Sequence, residues 1–312
     1  MTHPQPIPPP EKPEAPGVLR EHDGALEWHG HLETLRLEPW GADAIRVRAV
    51  RGGRLAHDLP GALLDEAPPS EAVVKAEGSV GRIVNGRITA EVTDRGIVRF
   101  LRADGSELLS EQPAHFWWPG ARLYTPTGNG YHRLEQRFAA YDGERLYGLG
   151  QHQHGLFDQK GATVDLVQRN AEVSIPVLLS DRGYLLLWNN PAIGRVELAV
   201  NGTRWVADSA RQFDYWITAG APAETLARYA DATGHSPRCP PGRPASGSAS
   251  CATAPRTNCW TSPASTSAVA CRSRSSSTTS STGPTSATGA WTPPSGPIPP
   301  RWCGSWPTWA CA

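Results

Sequence analysis

The sequence has 312 residues, 30 acidic and 30 basic side chains, and a formal net charge of zero at pH 7. No apolar run approaches the roughly 18 residues that a membrane-spanning helix needs. The Pro-rich first residues lack the charged-then-apolar pattern of a secretory signal. These features favour a cytoplasmic protein, and they predict neither nucleic acid nor a membrane as its partner.

The zero net charge conceals two different parts of the chain. Residues 1–237 hold all 30 acidic groups and 24 of the basic ones, whereas residues 238–312 hold six Arg, no Lys and all six cysteines. A long body without cysteine is typical of a reducing compartment. We expect a disordered segment over residues 1–19, a folded domain over 20–237 and a low-complexity tail over 238–312.

Short apolar segments separated by turn residues fill the first half of the folded domain. Residues 45–49 alternate apolar side chains with arginines, which is the period of a half-buried strand. Asn85-Gly86 between two apolar segments predicts a β-hairpin, and further strands are predicted over 97–101 and 107–109. Because turn signals recur about every ten residues without helical periodicity, we predict an all-β fold, a large antiparallel β-sandwich.

The same pattern continues to the end of the folded domain. Asn201-Gly202 is predicted to join two strands of a hairpin rather than to serve as a glycosylation site. Residues 222–233 have helical spacing, with Pro near the start and Gly234 just beyond the end, and predict one short C-terminal helix. The other predicted strands are 173–179, 184–188, 196–200, 204–207 and 213–218.

An ordered series of motifs resembles glycoside hydrolase family 31. The series comprises the hairpin region of residues 85–109 with its ADGSELL turn, RLYGLGQHQHG at 145–155, IPVLLSDRGYLLLWNNP at 175–191 and ETLARYADATGHSP at 224–237. The family contains α-glucosidases and α-xylosidases. The resemblance implies a galactose-mutarotase-like sandwich that precedes a (β/α)₈ catalytic barrel, with the loop of residues 148–158 reaching towards the barrel mouth.

This loop and its neighbourhood supply the candidate binding residues. Loops with convergent polar groups on a strand scaffold are frequent ligand sites, and the predicted substrate-binding residues are Gln151, His152, His154, Asp158, Arg169 and Asn170. His152 and His154 are expected on one face of a strand. Without a third ligand they predict no metal site and no cofactor. Asp165 could also orient a sugar. The alternatives are an ordinary polar loop for the histidines, and strand-end caps and solvated ion pairs for the other residues.

Three tryptophans are candidate platforms for a pyranose ring. They are Trp117, Trp118 and Trp188, although large aromatic side chains in a sandwich more often belong to the core. The face that would dock on a barrel is expected to be apolar, with residues 151–158 and Trp188 near it. Exposed apolar patches favour association, so we expect oligomerisation through this face.

The tail has an abrupt change of composition. Residues 238–312 contain no Leu, Phe, Tyr, His, Lys, Gln, Met, Asp or Glu. Such a segment buries too little apolar surface to offset its chain entropy. A disordered linker, a disulfide-rich module and a shifted reading frame are three explanations. No close CxxC pair is present, which disfavours the disulfide or zinc module.

The genetic code favours the shifted frame. If the frame has slipped by one base, serine codons TCN derive from NTC codons for Phe, Leu, Ile or Val, and threonine codons ACN derive from NAC. The codons allowed for residues 245–255 then give GFWQCKLRYRT, and those for 272–289 can give PLSVIVDDFFHWTHLGDW. Both resemble the opening strands of the family 31 barrel. We predict a frameshift near Pro237 or Arg238, with the tail as the frameshifted start of the barrel.

The composition of the tail also determines which catalytic residues we expect. Retaining glycoside hydrolysis needs two carboxyl groups about 5 Å apart, which the resemblance assigns to later barrel strands, and residues 238–312 contain no acid. We therefore predict no catalytic residue here, and expect an α-glycosidase N-terminal domain that is inactive alone and whose ligand is an α-linked oligosaccharide or glycoside. The alternatives are a stand-alone carbohydrate-binding module and an aldose mutarotase using His115, His132 and residues 151–154.

Overall fold

The computed structural model describes residues 16–113 and 120–236. The predicted tail over 238–312 and most of the predicted disordered segment over 1–19 lie outside the described residues. The described residues form, in chain order, β1 (Val18–His22), β2 (Ala25–His29), β3 (Glu33–Pro39), β4 (Ala44–Arg51), β5 (Val73–Glu77), β6 (Val80–Asn85), β7 (Ile88–Thr93), β8 (Val98–Arg102), β9 (Glu107–Ser110), β10 (Arg122–Gly128), β11 (Tyr131–Phe138), β12 (Leu146–Gln151), β13 (Thr163–Leu166), β14 (Val173–Ser180), β15 (Tyr184–Trp188), β16 (Gly194–Ala199), β17 (Gly202–Ala210), β18 (Phe213–Ala219) and α1 (Pro222–Thr233).

Three antiparallel sheets make up the fold. Sheet I has eight strands in the order β1-β2-β3-β4-β18-β15-β14-β12, sheet II has five in the order β5-β6-β7-β8-β9, and sheet III has five in the order β10-β11-β17-β16-β13. Sheet II is a meander of consecutive hairpins, whereas sheets I and III join strands that are far apart in sequence. The prediction of an all-β antiparallel sandwich with one short helix is confirmed.

The middle of sheet I holds the most deeply buried strands. β15 and β18 are neighbours, with Tyr184 opposite Ala219 and Trp188 opposite Tyr215. Every residue of both strands is buried. Because both faces of the sheet are covered here, the sequences of these strands are almost continuously apolar instead of alternating.

One core is shared by all three sheets. The ring of Tyr215 in sheet I meets the edge of Phe100 in sheet II at a centroid distance of 6.3 Å, and that of Phe138 in sheet III at 5.5 Å. Edge-to-face pairs of this kind contribute about 0.5–1.5 kcal/mol beyond their buried area. Tyr215 therefore contacts both small sheets from the centre of the large one.

A second, smaller apolar cluster lies on the outer face of sheet I beneath α1. Leu185, Leu187 and Trp216 pack there against Ala232 of the helix. At the start of the helix the Glu224 carboxylate accepts the backbone N–H of the residue before Pro222, at 2.9 Å. The helix ends at Gly234, whose positive φ any other residue adopts only with strain.

A buried ion network ties the three sheets together near one end. Arg122 of β10 donates through Nε to Glu33 at 2.7 Å, forms an ion pair with Glu111, and donates to the carbonyl of Gly96 at 2.6 Å. Burial opposes the charge of the guanidinium, but the carboxylates of Glu111 and Glu33 raise the pKa of Arg122. Tyr215 donates its hydroxyl to Glu111 at 3.0 Å. The network therefore contacts sheet I at β18 as well as at β3, which contains Glu33.

The predicted hairpin at Asn85-Gly86 is confirmed, with a small shift. β6 and β7 are joined by a two-residue turn that begins at Gly86, one residue later than predicted. Asn85 itself ends β6, and its buried amide donates to the carbonyls of Gly41 and Ala44 at 2.8 Å each. The asparagine therefore fixes the neighbouring turn of sheet I as well as its own hairpin.

The predicted bounds of several elements agree closely with the structure. β15 and α1 coincide with the predictions, while β14 and β18 are each one residue longer. Among the described residues, no helix is long and apolar enough to cross a membrane.

Candidate functional site

The candidate site lies at one edge of sheet I, on β12. Gly148, Leu149 and Gly150 all have positive φ, at 109°, 66° and 94°. The pairing of β12 with β14 shifts register between the two glycines, which marks a β-bulge. Leu149 is fully buried, so its left-handed backbone is held in place by packing of its side chain.

The two glycines of the bulge cannot carry a side chain. A Cβ at Gly148 would lie 2.5 Å from the carbonyl oxygen of Val177, and one at Gly150 would lie 2.0 Å from that of Val173. Both contacts are with backbone of β14, which cannot move aside without breaking the sheet. Bulges at sheet edges commonly redirect the chain beside functional sites, and this one sends the chain out of the sheet into the loop of residues 151–158.

The loop begins with the two predicted histidines. His152 donates Nε2–H to the carbonyl of Leu149 at 2.8 Å, and Nδ1 of His154 accepts the N–H of Leu156 at 3.1 Å. Their rings are stacked, with centroids 5.6 Å apart. The expectation that they occupy one face of a strand is wrong, because β12 ends at Gln151 and both histidines lie in the turn that follows.

The end of the loop is anchored by Asp158. Its Oδ1 accepts the backbone N–H groups of Leu146 and Lys160, each at 3.0 Å. These two hydrogen bonds lower the pKa of Asp158 below its ordinary value. The carboxylate thus closes the loop back onto the start of β12. Between the two anchors, the ring of Phe157 is 83% exposed and lies against Tyr147 at a centroid distance of 4.9 Å.

A second turn, of residues 167–172, holds the other predicted residues. Arg169 pairs with Asp165 at 2.7 Å and with Glu172 at 3.6 Å. Asn170 is exposed at the tip, and Ala171 adopts a positive φ of 68°. The guanidinium of Arg169 is therefore engaged within the turn, whereas the amide of Asn170 makes no hydrogen bond within the described residues.

The strand register brings the two loops to the same end of sheet I. Gln151, the last residue of β12, pairs with Val173, the first residue of β14. Asn170 lies three residues before Val173, so the exposed amides of Gln151 and Asn170 flank one strand pair. Among the described residues, no group of three or more His, Cys, Asp or Glu side chains is arranged to hold a metal ion.

Other proposed side chains lie elsewhere. Trp188 is 1% exposed and stacks on Trp205 in the core at a centroid distance of 5.7 Å. The candidate role of Trp188 as a sugar platform is therefore wrong, and the alternative, a position in the core, is confirmed, because its side chain points to the inner face of sheet I. His132 lies on β11 of sheet III with its ring edge-on to Tyr124. His115, Trp117 and Trp118 lie outside the described residues.

The outer face of β14 is packed under the helix at one end and exposed at the other. Val177 and Leu179 pack beneath the helix side of the sheet, while Val173 and Ile175 are 48% and 43% exposed. Leu226 of α1 is also exposed. Exposed apolar side chains of the predicted face, Val173 and Ile175, thus lie next to the loops, whereas Trp188 is not part of this face. Oligomerisation through this face stays a prediction.

Comparison with known proteins identifies this architecture. The sequence model of the glycosyl hydrolase 31 N-terminal galactose mutarotase-like domain matches residues 34–197, which include both loops of the candidate site. The chain belongs to glycoside hydrolase family 31. The matched range begins in β3 and ends in β16, so it covers strands from all three sheets.

Two curated family 31 relatives resemble the chain over most of its described length. An uncharacterized family 31 glucosidase of Pseudescherichia vulneris is 37% identical over 241 residues, covering 71% of this chain and 45% of the relative. The alpha-xylosidase A of Aspergillus niger is 30% identical over 241 residues, covering 68% of this chain and 32% of the relative. The chain thus spans less than half the length of these family 31 proteins.

Solved family 31 structures show the same fold. A family 31 alpha-xylosidase from a soil metagenome, solved with xylose, has a TM-score of 0.67 and 38% identity, covering 72% of this chain and 35% of that one. A xylosidase from Aspergillus niger has a TM-score of 0.56 and 27% identity. In both cases the similarity covers about a third of the longer protein.

Two features of this family 31 domain were missed from the sequence. The first is the buried, left-handed Leu149; the only signal for it is its position between two glycines. The second is a cluster around the buried Glu144, whose carboxylate accepts the hydroxyls of Ser180 and Tyr184 at 2.7 and 2.8 Å and pairs with Lys160 at 3.3 Å. Lys160 is also held by Asp158, so this cluster supports the anchored end of the loop.

Proposed function

We propose that this chain is the non-catalytic N-terminal part of an α-glycosidase that acts on α-xylosides or α-glucosides. The family match supports the assignment to an N-terminal part, since it covers residues 34–197 and names the N-terminal domain of these enzymes. The names of the relatives, a glucosidase and α-xylosidases, support the substrate class. The family resemblance assigns both catalytic carboxyl groups to the barrel that follows the sandwich, and residues 238–312 contain no acid; the proposal is therefore that the chain does not hydrolyse glycosides by itself.

The role of this domain is to bind part of an α-linked glycoside at the edge of sheet I. The observation that supports it is the pair of exposed amides, Gln151 and Asn170, at one end of the β12–β14 pair. An amide offers both donors and an acceptor, which suits the hydroxyl groups of a sugar. His152 and His154 add ring nitrogens beside Gln151, since each histidine uses one nitrogen within the loop.

Of the six predicted binding residues, four offer groups that can contact a ligand and two hold the loops in place. Gln151, His152, His154 and Asn170 supply the polar groups that face outward, whereas Asp158 and Arg169 hold the two loops in shape through their own hydrogen bonds. In this arrangement Asp158 and Arg169 act on a ligand only through the loops that they fix.

A binding titration tests this role. Methyl α-xyloside and methyl α-glucoside are added to the full chain while backbone amide shifts are followed by NMR. We expect shifts confined to residues 150–158 and 168–173, and we expect Gln151→Ala and Asn170→Ala each to weaken binding by about tenfold, the cost of one lost hydrogen-bonding group.

Ser209→Ala is the matched control for this titration. Ser209 is an exposed polar residue near the end of β17 in sheet III, away from both loops, and its loss should leave binding unchanged. Shifts elsewhere in the sandwich, or equal binding by all three variants, would contradict the proposed site.

A further inference from the structure

A polar cavity of about 220 Å³ lies on the outer face of sheet III, at the turn between β16 and β17. It is lined by Gln112, Arg137, Glu197, Asn201, Thr203 and Arg204, together with the backbone of the turn. Among the described residues, no aromatic side chain lines it and supplies the flat apolar surface on which a neutral pyranose usually stacks. The carboxylate of Glu197 is already engaged by Arg195 and Arg204. Apart from Thr203, the remaining polar side chains of the lining are two arginines and two amides, which are mainly hydrogen-bond donors.

Two arginines face each other across the strands that form the floor of this cavity. Arg137 of β11 and Arg204 of β17 are direct partners in the antiparallel register. Like charges directly opposite each other on one face of a sheet are destabilising. Anionic groups beside both arginines would relieve this repulsion.

The described carboxylates neutralise only one of the pair. Arg204 donates to Glu197 at 2.8 and 2.6 Å and to Glu135 at 3.2 Å, and these contacts raise the pKa of its guanidinium. Arg137 has only Glu135, at the long distance of 4.0 Å. Its Nε is buried and has no hydrogen-bond partner among the described residues.

We infer that Arg137 binds a small oxyanion, a carboxylate or a phosphate group, in this cavity. An oxyanion accepts N–H bonds from the guanidinium fork in a two-point arrangement, and it would neutralise the surplus charge of the arginine pair. Gln112 and Asn201 line the same space, and their side-chain amides can donate to the remaining oxygens. The site is separate from the loops of residues 151–158 and 167–172.

The geometry of the turn keeps this space open for polar contacts. Gly202 opens β17, and a Cβ there would lie 2.9 Å from the side-chain oxygen of Gln112. A glycine at this position lets the amide of Gln112 approach the β16–β17 turn. The absence of a side chain at Gly202 thus leaves room for the Gln112 amide beside Arg204.

Calorimetric titration of the full chain at low ionic strength tests the inference, because salt screens such contacts. Three probes are used: inorganic phosphate, glucuronate and glucose. We expect phosphate, glucuronate or both to bind with an affinity that Arg137→Gln weakens, and the heat measured with glucose, whose proposed site is at the loops of sheet I, to be the same in that variant. Phosphate alone would identify a phosphate group as the ligand, and glucuronate alone the carboxylate of an acidic sugar. Binding of neither anion, or anion binding that Arg137→Gln leaves unchanged, would overturn the inference.

Arg137→Gln is the decisive variant. It should weaken anion binding by about tenfold or more, since hydrogen bonds to charged groups are among the stronger ones. Arg133→Gln is the matched control: it removes the same charge from the same face of β11, but Arg133 already pairs with Glu135 at 3.3 Å. Anion affinity that falls equally in both variants would show a general charge effect and would overturn the assignment.

A stability measurement keeps the test informative if a variant folds poorly. Because Arg137→Gln removes a like-charge pair, its Tm in anion-free, low-salt buffer should equal or exceed that of the parent chain, and the rise in Tm on adding the bound anion should become smaller. Arg137→Lys, which keeps the charge but loses the two-point geometry, should retain weakened binding. A lower anion-free Tm for Arg137→Gln with an undiminished anion-induced rise would contradict the proposed role of this arginine.

Discussion

Leu149 shows how a single backbone conformation shapes the candidate site. It is a fully buried leucine with φ of 66°, between two glycines that also have positive φ. A non-glycine residue in this region costs on the order of 1–2 kcal/mol, so the surrounding core must hold it there. The consequence is a bulge that directs Gln151 and the following loop out of the edge of sheet I.

Gly150→Ala tests whether this bulge depends on close backbone approach. The added Cβ would lie 2.0 Å from the carbonyl oxygen of Val173 at a φ of 94°. We expect a free energy of unfolding at least about 2 kcal/mol lower than that of Gly155→Ala, measured by urea denaturation. Gly155 also has a positive φ, but a Cβ there meets no atom within 4 Å. Equal losses in the two variants would mean that only backbone strain matters.

Asp158→Ala tests the anchor at the other end of the loop. It removes the acceptor of the Leu146 and Lys160 amides, and we expect a loss of about 1–2 kcal/mol in unfolding free energy. Hydrogen exchange of these two amides should become faster. Asp165→Ala removes a carboxylate from an exposed pair with Arg169 and should change neither amide. Unchanged exchange in Asp158→Ala would refute the anchoring role.

The pH dependence of the same anchor follows from the lowered pKa of Asp158. Because the folded-state pKa lies below the unfolded value, the stabilisation is fully present above the ordinary Asp value of about 3.9 and is lost as pH falls through the lower, folded value. The amide shift of Lys160, followed by NMR, should therefore titrate below about pH 3.9. Titration above that pH, or the same titration in Asp158→Asn, would be inconsistent with this assignment.

At the scale of elements, burial on both faces distinguishes the centre of sheet I from its edge. β15 packs against the shared core on one side and α1 on the other. On β14, Val177 is packed in the same way, but Val173 at the start of the strand is exposed. We therefore expect the slowest amide exchange in β15 and β18 and faster exchange at the start of β14.

Leu187→Ala measures how much the packing of α1 on sheet I contributes to the free energy of unfolding. Leu187 is 1% exposed beneath α1, and truncation of such a side chain costs about 2–5 kcal/mol because a cavity remains. Val173→Ala, on the same sheet and partly exposed, should cost less than about 1 kcal/mol. Both values come from urea denaturation of the full chain. Similar losses would show that α1 does not cover the sheet as tightly as described.

Local signals explain why some elements could be predicted from the sequence. β15 and α1 were predicted with the correct bounds, because turn residues flank the first and Pro222 and Gly234 delimit the second. The order of strands could not be predicted, since β18 inserts between β4 and β15 through pairings that depend on long-range packing. The side of the sheet that Trp188 occupies could not be predicted for a related reason. A strand that is apolar on both faces carries no alternation to show which face its tryptophan occupies.

The candidate site was predictable only in part. The cluster of Gln151 to His154 was recognised by its polar composition, and the structure brings Gln151 to the same strand pair as Asn170. The supporting role of Asp158 depends on two backbone amides, one of them twelve residues away in sequence. Such side chain–backbone contacts leave no periodic signal, so the sequence could not separate supporting residues from outward-facing ones.

At the scale of the whole molecule, the composition beyond the sandwich calls for an explanation. Residues 238–312 lack every acid and nearly every large aliphatic residue, directly after a helix that ends normally at Gly234. A slipped frame accounts for both losses, because NTC codons become serines and NAC codons become threonines. It also accounts for the cysteines and tryptophans, since NTG codons become TGC or TGG.

The nucleotide sequence around codon 237 tests this prediction. Read one base back, it should open a frame of several hundred residues with alternating strands and helices and two aspartates at strand ends, the arrangement of a (β/α)₈ catalytic barrel. Stop codons in that frame within the length of the tail would refute the frameshift and favour a genuine low-complexity extension.

The central claim is that this sandwich is the non-catalytic domain of a family 31 α-glycosidase. The most direct measurement is the release of nitrophenol from aryl α-xyloside and aryl α-glucoside by two purified proteins: the 312-residue chain, and the product of the same gene with the frame moved back one base after codon 237. We predict no release above buffer by the 312-residue chain and catalytic turnover of at least one substrate by the frame-corrected protein. Turnover by the 312-residue chain, or a folded frame-corrected protein that cleaves neither substrate, would contradict the claim.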